Sequence, residues 1–190
     1  MTNKLLFIDT ETGGLNPQLH ALLSVGLVVW EDGIIIDEGE FIIQTGKKSV
    51  SQSALDVNHI QIEQHNHKAL PSKEAFENLI AFIDRHFPDK KPVTLAGHNI
   101  NFDLRFLKYF FNQHGRLFRS YISHRVIDTS SVLHFLYIAG ILPDKIISSD
   151  EAFNHFNITV DNRHTALSDA RATAELFSKL VETLPKTYEV

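Results

Sequence analysis

Four acidic residues and one histidine stand next to predicted strands and helices, where their side chains could carry hydrolytic chemistry. These residues are Asp9, Glu11, Asp103, His164 and Asp169. Asp9 and Glu11 follow the apolar run 4–8, and the two-residue period of a strand puts both carboxylates on one face of a sheet. Asp103 and Asp169 lie early in two predicted helices. Because strand ends and helix starts of an α/β sheet converge on one crevice, we expect the four acids to meet there.

Such a group of carboxylates suits phosphodiester hydrolysis. Carboxylate oxygens are hard ligands that bind Mg²⁺ or Mn²⁺ well. A pair of these ions roughly 4 Å apart can orient a water molecule, lower its pKa and stabilise the leaving oxygen. Without cations the acids would repel one another, and some would take up protons. His164 precedes Asp169 by five residues and could accept the proton of the attacking water, because the ordinary pKa of histidine is near neutral.

The elements that position these residues alternate between β and α patterns. Three β-rich runs come first, and the Asp-Gly pair at residues 32–33 predicts a hairpin, so that the three N-terminal strands are antiparallel. The predicted strands are residues 4–8, 21–30, 34–43, 92–96 and 126–127; the predicted helices are residues 72–87, 102–112, a run ending near 139, a short helix capped by Ser148, and 165–184. The pattern predicts one α/β domain over residues 1–190, with a mixed five-stranded sheet flanked by helices. Residues 44–71 are predicted to form a long loop with one short helix.

Composition excludes several other chemistries. The 190 residues include no cysteine, which rules out disulfides, thiolate zinc sites and cysteine nucleophiles. A hydrophobic share of 43% is enough for a sizeable core. The N-terminus lacks the long apolar segment of a signal peptide, and no stretch reaches the roughly 20 apolar residues that span a bilayer. We therefore expect a cytoplasmic protein without a membrane partner.

The charge of the chain is unevenly distributed. The net charge of −5 is unlike that of most general nucleic-acid binders, although a carboxylate-rich site would itself contribute several of the negative charges. Residues 105–125 contain five Lys or Arg side chains and no Asp or Glu. The five are Arg105, Lys108, Arg116, Arg119 and Arg125. A surface of this kind could bind phosphates, and a solvated helix face accounts equally well for any one of them.

Three segments of the chain resemble the DEDDh exonucleases, the DnaQ-like family that includes the epsilon subunit of DNA polymerase III, ribonuclease T and oligoribonuclease. They are FIDTETGGL at residues 7–15, GHNINFD at 97–103 and HTALSDA at 164–170. Each segment alone is a weak signal, whereas all three in order and at suitable separations are a strong one. The related DEDDy branch carries a tyrosine four residues before its last aspartate, where this chain has Thr165, so the histidine branch is favoured.

The resemblance implies a ribonuclease H-like fold and a 3′–5′ exonuclease. Such an enzyme hydrolyses the terminal phosphodiesters of DNA or RNA by a two-metal-ion mechanism and releases nucleoside 5′-monophosphates. The residues that would bind two divalent cations, Mg²⁺ or Mn²⁺, are Asp9, Glu11, Asp103 and Asp169. His164 would be the general base.

The resemblance also implies how substrate would bind. The backbone at Thr12 and Gly13 would hold the terminal 3′-hydroxyl, Leu15 would wedge against the terminal base, and Asn99 would lie near the nucleotide. The partner would be a nucleic-acid 3′ end, preferably single-stranded, and association with a second copy or with a polymerase stays open. Phe102 could stack on a base, but its place in a helical apolar pattern favours core packing.

Two other functions compete with this interpretation. An apolar strand followed by Asp9 also resembles haloacid-dehalogenase-type phosphotransferases, in which the first acid is a nucleophile. That family requires a second Asp where this chain has Glu11, and a late acidic pair that Asp169 and its neighbours do not supply. A nuclease fold retained as a binding or scaffolding module is the other alternative, and loss of a metal-binding acid would favour it. All four acids and the histidine are present.

Several remaining residues are expected to be structural. His98 is next to the site, and a structural hydrogen bond is the favoured role for it. Asp128 is predicted to orient a nearby helix and not to bind metal. The sequence His-Asn-His at residues 65–67 matches the name of another nuclease class, but it lies in a polar segment without the strands and helix of that class.

Overall fold

A five-stranded mixed sheet organises the molecule, with the strand order β3-β2-β1-β4-β5. The computed structural model describes residues 3–89 and 91–184. The strands are β1 (Lys4–Thr12), β2 (Leu22–Glu31), β3 (Ile34–Ile42), β4 (Val93–Gly97) and β5 (Ile122–Asp128). β1, β2 and β3 pair antiparallel, whereas β4 pairs parallel with both β1 and β5. The predicted α/β class, the strand number and the antiparallel N-terminal strands are therefore confirmed.

Local sequence explains the hairpin between β2 and β3. Asp32 and Gly33 have φ values of 47° and 95°, and a two-residue hairpin turn of type I′ needs positive φ at both central positions. Glycine adopts such values without steric cost, and aspartate tolerates them better than most residues do. The Asp-Gly pair therefore fixes the register of two long strands.

Eight helices surround the sheet in the described part of the chain. They are α1 (Gln52–Asn58), α2 (Ile62–Lys68), α3 (Ser72–His86), α4 (Asn101–Gln113), α5 (Phe118–Tyr121), α6 (Thr129–Ile138), α7 (Ser149–His155) and α8 (Ala166–Glu182). The long predicted helices are confirmed, and Ser148 caps α7 by accepting a hydrogen bond from the Glu151 N–H, as its sequence suggested.

Three boundaries differ from the sequence-based expectation. Residues 44–71 contain two helices and not one. Ser51 caps the start of α1, and α2 has no buried residue, so neither helix shows an apolar pattern in the sequence. β1 extends four residues beyond the apolar run, through both acids, since its backbone keeps pairing with β2 as far as Thr12. β5 is seven residues long instead of two, because its exposed side chains hide its extended backbone from a hydrophobicity pattern.

The alternation of side chains along β1 sends its residues to two separate cores. Leu6 and Ile8 pack into a cluster that includes residues of α3 and α4. Phe7 packs on the other face, against Ala170 and Phe177 of α8. Since alternate residues of a strand share a face, Asp9 continues the face that α8 covers and Thr10 continues the face that α4 covers. No helix within residues 3–89 and 91–184 is long and apolar enough to cross a bilayer.

Candidate active site

Three of the predicted acids come together at the end of the central strand. Asp9 and Glu11 project from β1, and Asp169 lies in the first turn of α8, where the Thr165 hydroxyl accepts a hydrogen bond from the backbone N–H of Ser168. The three carboxylates each offer an oxygen, and these oxygens all lie within 4.8 Å of one another. We call Asp9, Glu11 and Asp169 the acid cluster. In the part of the chain that the structure describes, it is the one group of three or more such side chains that could share a metal ion.

Asp103 approaches β1 from the opposite side. It is only 4% exposed in the first turn of α4, and its Oδ1 accepts a hydrogen bond of 2.6 Å from the Thr10 hydroxyl. Its oxygens therefore lie outside the acid cluster. Its negative charge is nevertheless, after burial, the largest cause that raises the pKa of Asp9. Asp103 is close enough to interact with the cluster, and its role as a fourth metal ligand stays a prediction.

Burial raises the pKa values of all four acids, and repulsion by the other acids raises those of Asp9 and Glu11 further. Burial, then the charges of the other three acids, hold the pKa of Asp9 well above its ordinary range. Burial and the charge of Asp169 raise the pKa of Glu11 to about 8. Burial raises the pKa of Asp103 to about 7 and also raises that of Asp169. Buried acids with pKa values near or above neutrality require a compensating cation in order to be charged together, so the residues fit a divalent-ion site.

Arg163 is a site residue that sequence reasoning missed. Its guanidinium forms an ion pair with Asp169 of the acid cluster and a second one with Asp150 of α7, at 2.7 Å. It also donates to the Ser149 hydroxyl at 2.9 Å and lies over the Phe153 ring. Its positive charge lowers the pKa values of the cluster acids against the stronger effect of burial. Arg163 thus supplies part of the charge compensation and ties the loop before α8 to α7.

His164 lies directly after Arg163, at the edge of the acid cluster. Its φ of 70° is in the left-handed region, which turns the chain sharply before α8 begins. The imidazole is half-buried and packs edge-to-face on the ring of His59, with the ring centroids 5.7 Å apart. The charge of His164 lowers the pKa of Asp169, though less than Arg163 does, so the imidazole lies within electrostatic reach of the cluster.

The strand end that carries His98 is fixed by hydrogen bonds. The Thr129 hydroxyl donates to the Gly97 carbonyl at 3.2 Å, so the 3.0 Å contact between Thr129 and His98 Nδ1 has the histidine as donor. Asp128 caps α6 and accepts hydrogen bonds of 3.0 Å from the backbone N–H groups of Ser130 and Asn99. The hydrogen bond expected of His98 is present and Asp128 caps α6 as predicted, while the purely structural role of His98 stays a prediction.

A pocket of about 590 Å³ opens beside the acid cluster. Its lining residues are Thr10, Glu11, Thr12, Gly14, Leu15, His20, Ser51, Ser53, Ala54, Val57, Asn58 and Phe102. Leu15 is 75% exposed at its rim. Phe102 is half-buried and forms part of the pocket wall, packing against Phe106. The expectation that Phe102 belongs to the core is met only in part, because its ring packs against the buried Phe106 and also lines the pocket.

The backbone beneath this pocket is extensively hydrogen-bonded. The Gly13 N–H donates to the Ala21 carbonyl at 2.8 Å, so it is not a free donor, and the Gly13 carbonyl accepts from the Ser51 N–H. The Thr12 hydroxyl donates to the Gly14 carbonyl at 2.9 Å. These bonds hold the loop after β1 in place, and the substrate-binding roles of Thr12 and Gly13 stay predictions.

Asn58 is a second residue that the sequence did not reveal. It is buried at the end of α1 and donates from Nδ2 to the Thr12 carbonyl at 3.2 Å. Its amide also lies near Glu11 and lowers the pKa of that carboxyl against the effect of burial. Its segment carries no apolar period, so only the packing of α1 against β1 identifies it. The His-Asn-His segment lies elsewhere, in α2, where His65 Nε2 contacts the Ile43 carbonyl.

Comparison with known proteins agrees with this geometry. A family model described as "Exonuclease" matches residues 6–177 of the chain. The chain belongs to this DnaQ-like exonuclease family. The resemblance read from the three motifs is thereby confirmed, and the phosphotransferase alternative is wrong.

The exonuclease domain is similar in sequence to both large and small proteins. It is 27% identical over 179 residues to the PolC-type DNA polymerase III of Thermotoga petrophila, covering 94% of this chain but only 12% of that protein. It is 27% identical to the DNA polymerase III subunit epsilon of Treponema pallidum, covering 91% of this chain and 74% of that one. It is 28% identical to the ribonuclease T of Marinobacter nauticus, with 92% and 80% coverage.

Solved structures share the fold of this exonuclease-family chain. E. coli exonuclease I in complex with a dT13 oligonucleotide superimposes with a TM-score of 0.83 at 16% identity, over 97% of this chain and 42% of that one. At this identity the likeness concerns the fold alone, and it confirms the predicted ribonuclease H-like architecture.

Proposed function

We propose that this chain is a divalent-metal-dependent 3′–5′ exonuclease that hydrolyses terminal phosphodiesters of DNA or RNA and releases nucleoside 5′-monophosphates. One observation carries the proposal: carboxylates from β1 and α8, 158 residues apart between Glu11 and Asp169, meet within 4.8 Å beside a pocket of about 590 Å³. Burial and neighbouring acids raise the pKa values of Asp9 and Glu11, and a bound cation would offset this repulsion. Membership in the exonuclease family supports the same reaction.

The acid cluster and Asp103 are the proposed ligands of two ions, Mg²⁺ or Mn²⁺. Divalent cations in such a site lower the pKa of the attacking water and stabilise the leaving oxygen. Asp9 is the candidate to contact both ions, because it projects from the central strand and interacts with acids on either side of it. The amide of Asn58 lies near Glu11 and lowers its pKa. Asp103 is oriented by the Thr10 hydroxyl, so this carboxylate is held before any ion binds.

His164 is the proposed general base. Its imidazole stands at the edge of the acid cluster, on a turn that connects it to Asp169 through only five residues. A base within hydrogen-bond reach of the attacking water contributes about 10²–10⁴-fold to the rate. The neighbouring ring of His59 limits the positions that the imidazole can adopt.

The pocket beside Glu11 is the proposed site of the terminal nucleotide. Leu15 at the rim and Phe102 in the wall offer apolar faces to a base. The backbone at Thr12 and Gly13 is the proposed neighbour of the 3′-hydroxyl. Asn99, which follows the end of β4, is the proposed neighbour of the nucleotide. A single-stranded 3′ end fits a pocket that holds one unpaired base, and the related exonuclease I was solved with the oligonucleotide dT13. We further propose that residues 1–190 act as a single exonuclease domain in the cytoplasm, whether alone, as a pair of copies or beside a polymerase.

A divalent-ion titration on defined substrates tests the function. Single-stranded DNA, duplex DNA and RNA of matched sequence are incubated with Mg²⁺, Mn²⁺ or EDTA, and the products are separated by chromatography. We expect nucleoside 5′-monophosphates from the 3′ end in the presence of either ion and none with EDTA. Release of oligonucleotides, or no release under any condition, contradicts the proposal; the latter result would favour a binding module.

Substitution of Asp9 tests the site itself. Asp9→Ala should abolish cleavage and leave the metal-free protein as stable or more stable, because the repulsion among the acids is relieved. Asp144→Ala, at an exposed loop position, is the matched control and should change neither property. Residual activity of Asp9→Ala within tenfold of the parent rate contradicts the assignment.

A further inference from the structure

One face of α4 carries an alternation of aromatic and polar side chains that leads away from the pocket. Phe102, Arg105, Tyr109 and Gln113 follow one another at steps of three or four residues, so they line one side of the helix. Arg105 and Gln113 are exposed, while Phe102 and Tyr109 are half-buried. We call these four residues the α4 stripe.

The segment that contains most of the α4 stripe is positively charged, and cations contact its aromatic rings. Residues 104–127 contain no Asp or Glu, although the whole chain has a net charge of −5. Lys48 lies over the Tyr109 ring, with Nζ 4.3 Å from the centroid, and donates a hydrogen bond of 3.1 Å to the Tyr109 hydroxyl. The Arg105 guanidinium lies 5.5 Å from the centroid of the Phe102 ring. Each aromatic ring of the stripe is thus accompanied by a cation.

The α4 stripe connects two hollows in the surface. Phe102 belongs to the wall of the pocket proposed for the terminal nucleotide. At the other end, Gln113 lines a second hollow of about 530 Å³ together with Lys47 and Lys48. Seven residues separate Phe102 from Tyr109, which is about 10 Å along a helix axis at 1.5 Å per residue. A stacked strand advances about 3.4 Å per nucleotide, so this distance equals about three nucleotides.

We infer that the α4 stripe binds the nucleic-acid strand on the 5′ side of the terminal nucleotide. This inference rests on the proposed exonuclease function and adds a second binding surface to it. The ligand is a single strand whose bases stack on Tyr109 and whose phosphates face Arg105, because aromatic faces combined with cations bind single strands without reading their sequence. A strand that leaves the pocket over Phe102 meets Arg105 within one helical turn and Tyr109 one turn later.

Charge and exposure favour a nucleic acid over a protein as the occupant. A protein partner of a helix generally requires contiguous exposed apolar side chains. Such side chains lie elsewhere, on α6, where Phe135 is 64% and Ile138 is 71% exposed. The α4 stripe instead combines a cation, an amide and two aromatic rings, and the chain from residue 104 to 127 has no acid, which complements a polyanion.

Binding of long and short oligonucleotides separates this surface from the terminal pocket. The variants are Arg105→Gln, Arg105→Lys and Tyr109→Leu, with Lys179→Gln on α8 as a matched loss of one exposed positive charge. Equilibrium dissociation constants are measured in EDTA, which prevents cleavage, for the 12-mers dT12 and rU12 and for the dinucleotide pTpT. Hydrolysis of the p-nitrophenyl ester of thymidine 5′-monophosphate in Mn²⁺ reports on the reaction centre without an upstream strand.

The expected result is a loss that depends on substrate length. Tyr109→Leu should weaken 12-mer binding about tenfold, the usual effect of losing one base–aromatic stack. Arg105→Gln should reduce the slope of log K against log salt by about 0.7, the value of one phosphate contact on a single strand, and Arg105→Lys should restore it. The dinucleotide constants and the ester rate should stay within twofold of the parent protein. If the variants lose more affinity for dT12 than for rU12, the α4 stripe binds DNA; if they lose more affinity for rU12, it binds RNA.

Three results would overturn the inference. One is that Tyr109→Leu and Arg105→Gln bind the 12-mers with the same dissociation constant as Lys179→Gln does. Another is an equal loss on the 12-mer and the dinucleotide, which would assign both residues to the terminal pocket. The third is unchanged 12-mer binding with a loss of self-association in sedimentation velocity, which would assign the stripe to contact between copies. Failure of the exonuclease proposal is distinguishable, because the parent protein itself would then hydrolyse neither oligonucleotide nor ester.

Discussion

Gly26 of β2 lies directly against Ala166 in the first turn of α8. A methyl group added at Gly26 would overlap the Ala166 carbonyl, well inside van der Waals contact, and would also meet the backbone nitrogen of Leu167. Gly26 is paired with Asp9 across the β1–β2 ladder. The missing side chain therefore lets the start of α8 descend onto the sheet beside Asp9, which brings Asp169 within reach of the β1 acids.

Gly26→Ala should accordingly separate α8 from the acid cluster. We expect a loss of stability of about 1–3 kcal/mol, as for other overpacked positions, and a loss of cleavage activity larger than the stability change explains. Thermal denaturation and the cleavage rate measured well below the melting temperature distinguish the two effects. Gly39→Ala on β3 is the matched control, since the nearest neighbours of its methyl group would be the side chains of Phe82 and Phe41, at 3.2–3.4 Å, and not backbone atoms. Full activity of a folded Gly26→Ala protein would show that the close approach is not needed.

Much of this arrangement was predictable from local sequence. The apolar runs and the Asp-Gly turn predict the antiparallel strands, and the two-residue period predicts that Asp9 and Glu11 share a face. Arg163 and Asn58 were not predictable, because each acts through partners that are distant in sequence: Asp150 for the arginine and Thr12 for the asparagine. The periodicity of apolar residues does not predict side-chain contacts between residues that are far apart in the sequence.

Other differences have the same physical origin. The helical period that includes Phe102 predicts burial, but a period does not distinguish a ring that is enclosed in the core from one that also lines a pocket. Asp103 was expected beside the other acids in a common crevice. It reaches β1 from the face of Thr10, because α4 and α8 cover opposite sides of the sheet. Sequence indicates which residues belong to the site better than it indicates the side from which each one enters.

The raised pKa of Glu11 predicts a pH-dependent instability of the metal-free protein. A carboxyl whose pKa is about 8 when folded and 4.5 otherwise binds its proton more tightly in the folded state. Glu11 therefore does not destabilise the protein at pH values below its pKa in the unfolded chain. The free energy of unfolding then falls progressively as the pH rises from about 4.5 to 8. Glu11→Gln removes this effect and should stabilise the metal-free protein at pH 8.5 by on the order of 2–4 kcal/mol, and by much less at pH 5.

Urea denaturation in EDTA at both pH values checks this prediction. The exposed variant Glu77→Gln on α3 is the control and should show no such difference between the two pH values. Saturating Mg²⁺ should reduce the fall in parent stability, because an ion that binds the charged carboxylates favours the folded state. Equal stabilisation by Glu11→Gln at pH 5 and pH 8.5 would contradict the assigned pKa.

Arg163 should compete with divalent ions for Asp169. The Arg163 guanidinium forms an ion pair with the Asp169 carboxylate and lowers the pKa of Asp169. It therefore supplies some of the positive charge that a metal ion would supply. Arg163→Gln should lower the stability of the metal-free protein by about 2 kcal/mol, the order expected for hydrogen bonds to charged groups, and should tighten Mn²⁺ binding several-fold. Calorimetric titration with Mn²⁺ and denaturation in EDTA measure the two effects.

Arg171→Gln provides the comparison for Arg163, because Arg171 also lies near the start of α8 but pairs with Glu38 and Glu175 at the surface. It should leave Mn²⁺ affinity unchanged. A weaker Mn²⁺ affinity of Arg163→Gln would mean that the arginine holds Asp169 in a ligand geometry instead of competing for it.

His164→Ala separates a base from a ligand. If the imidazole only accepts a proton from the attacking water, its removal should lower the single-turnover cleavage rate by about 10²–10⁴-fold. The dissociation constant for Mn²⁺ should stay within about threefold, because the carboxylates that bind the ions are intact. His59→Ala, which removes the ring packed on His164, should reduce the rate by a smaller factor by leaving the imidazole less restricted. A collapse of Mn²⁺ affinity in His164→Ala would make the histidine a metal ligand, and an unchanged rate would assign the proton transfer to another group.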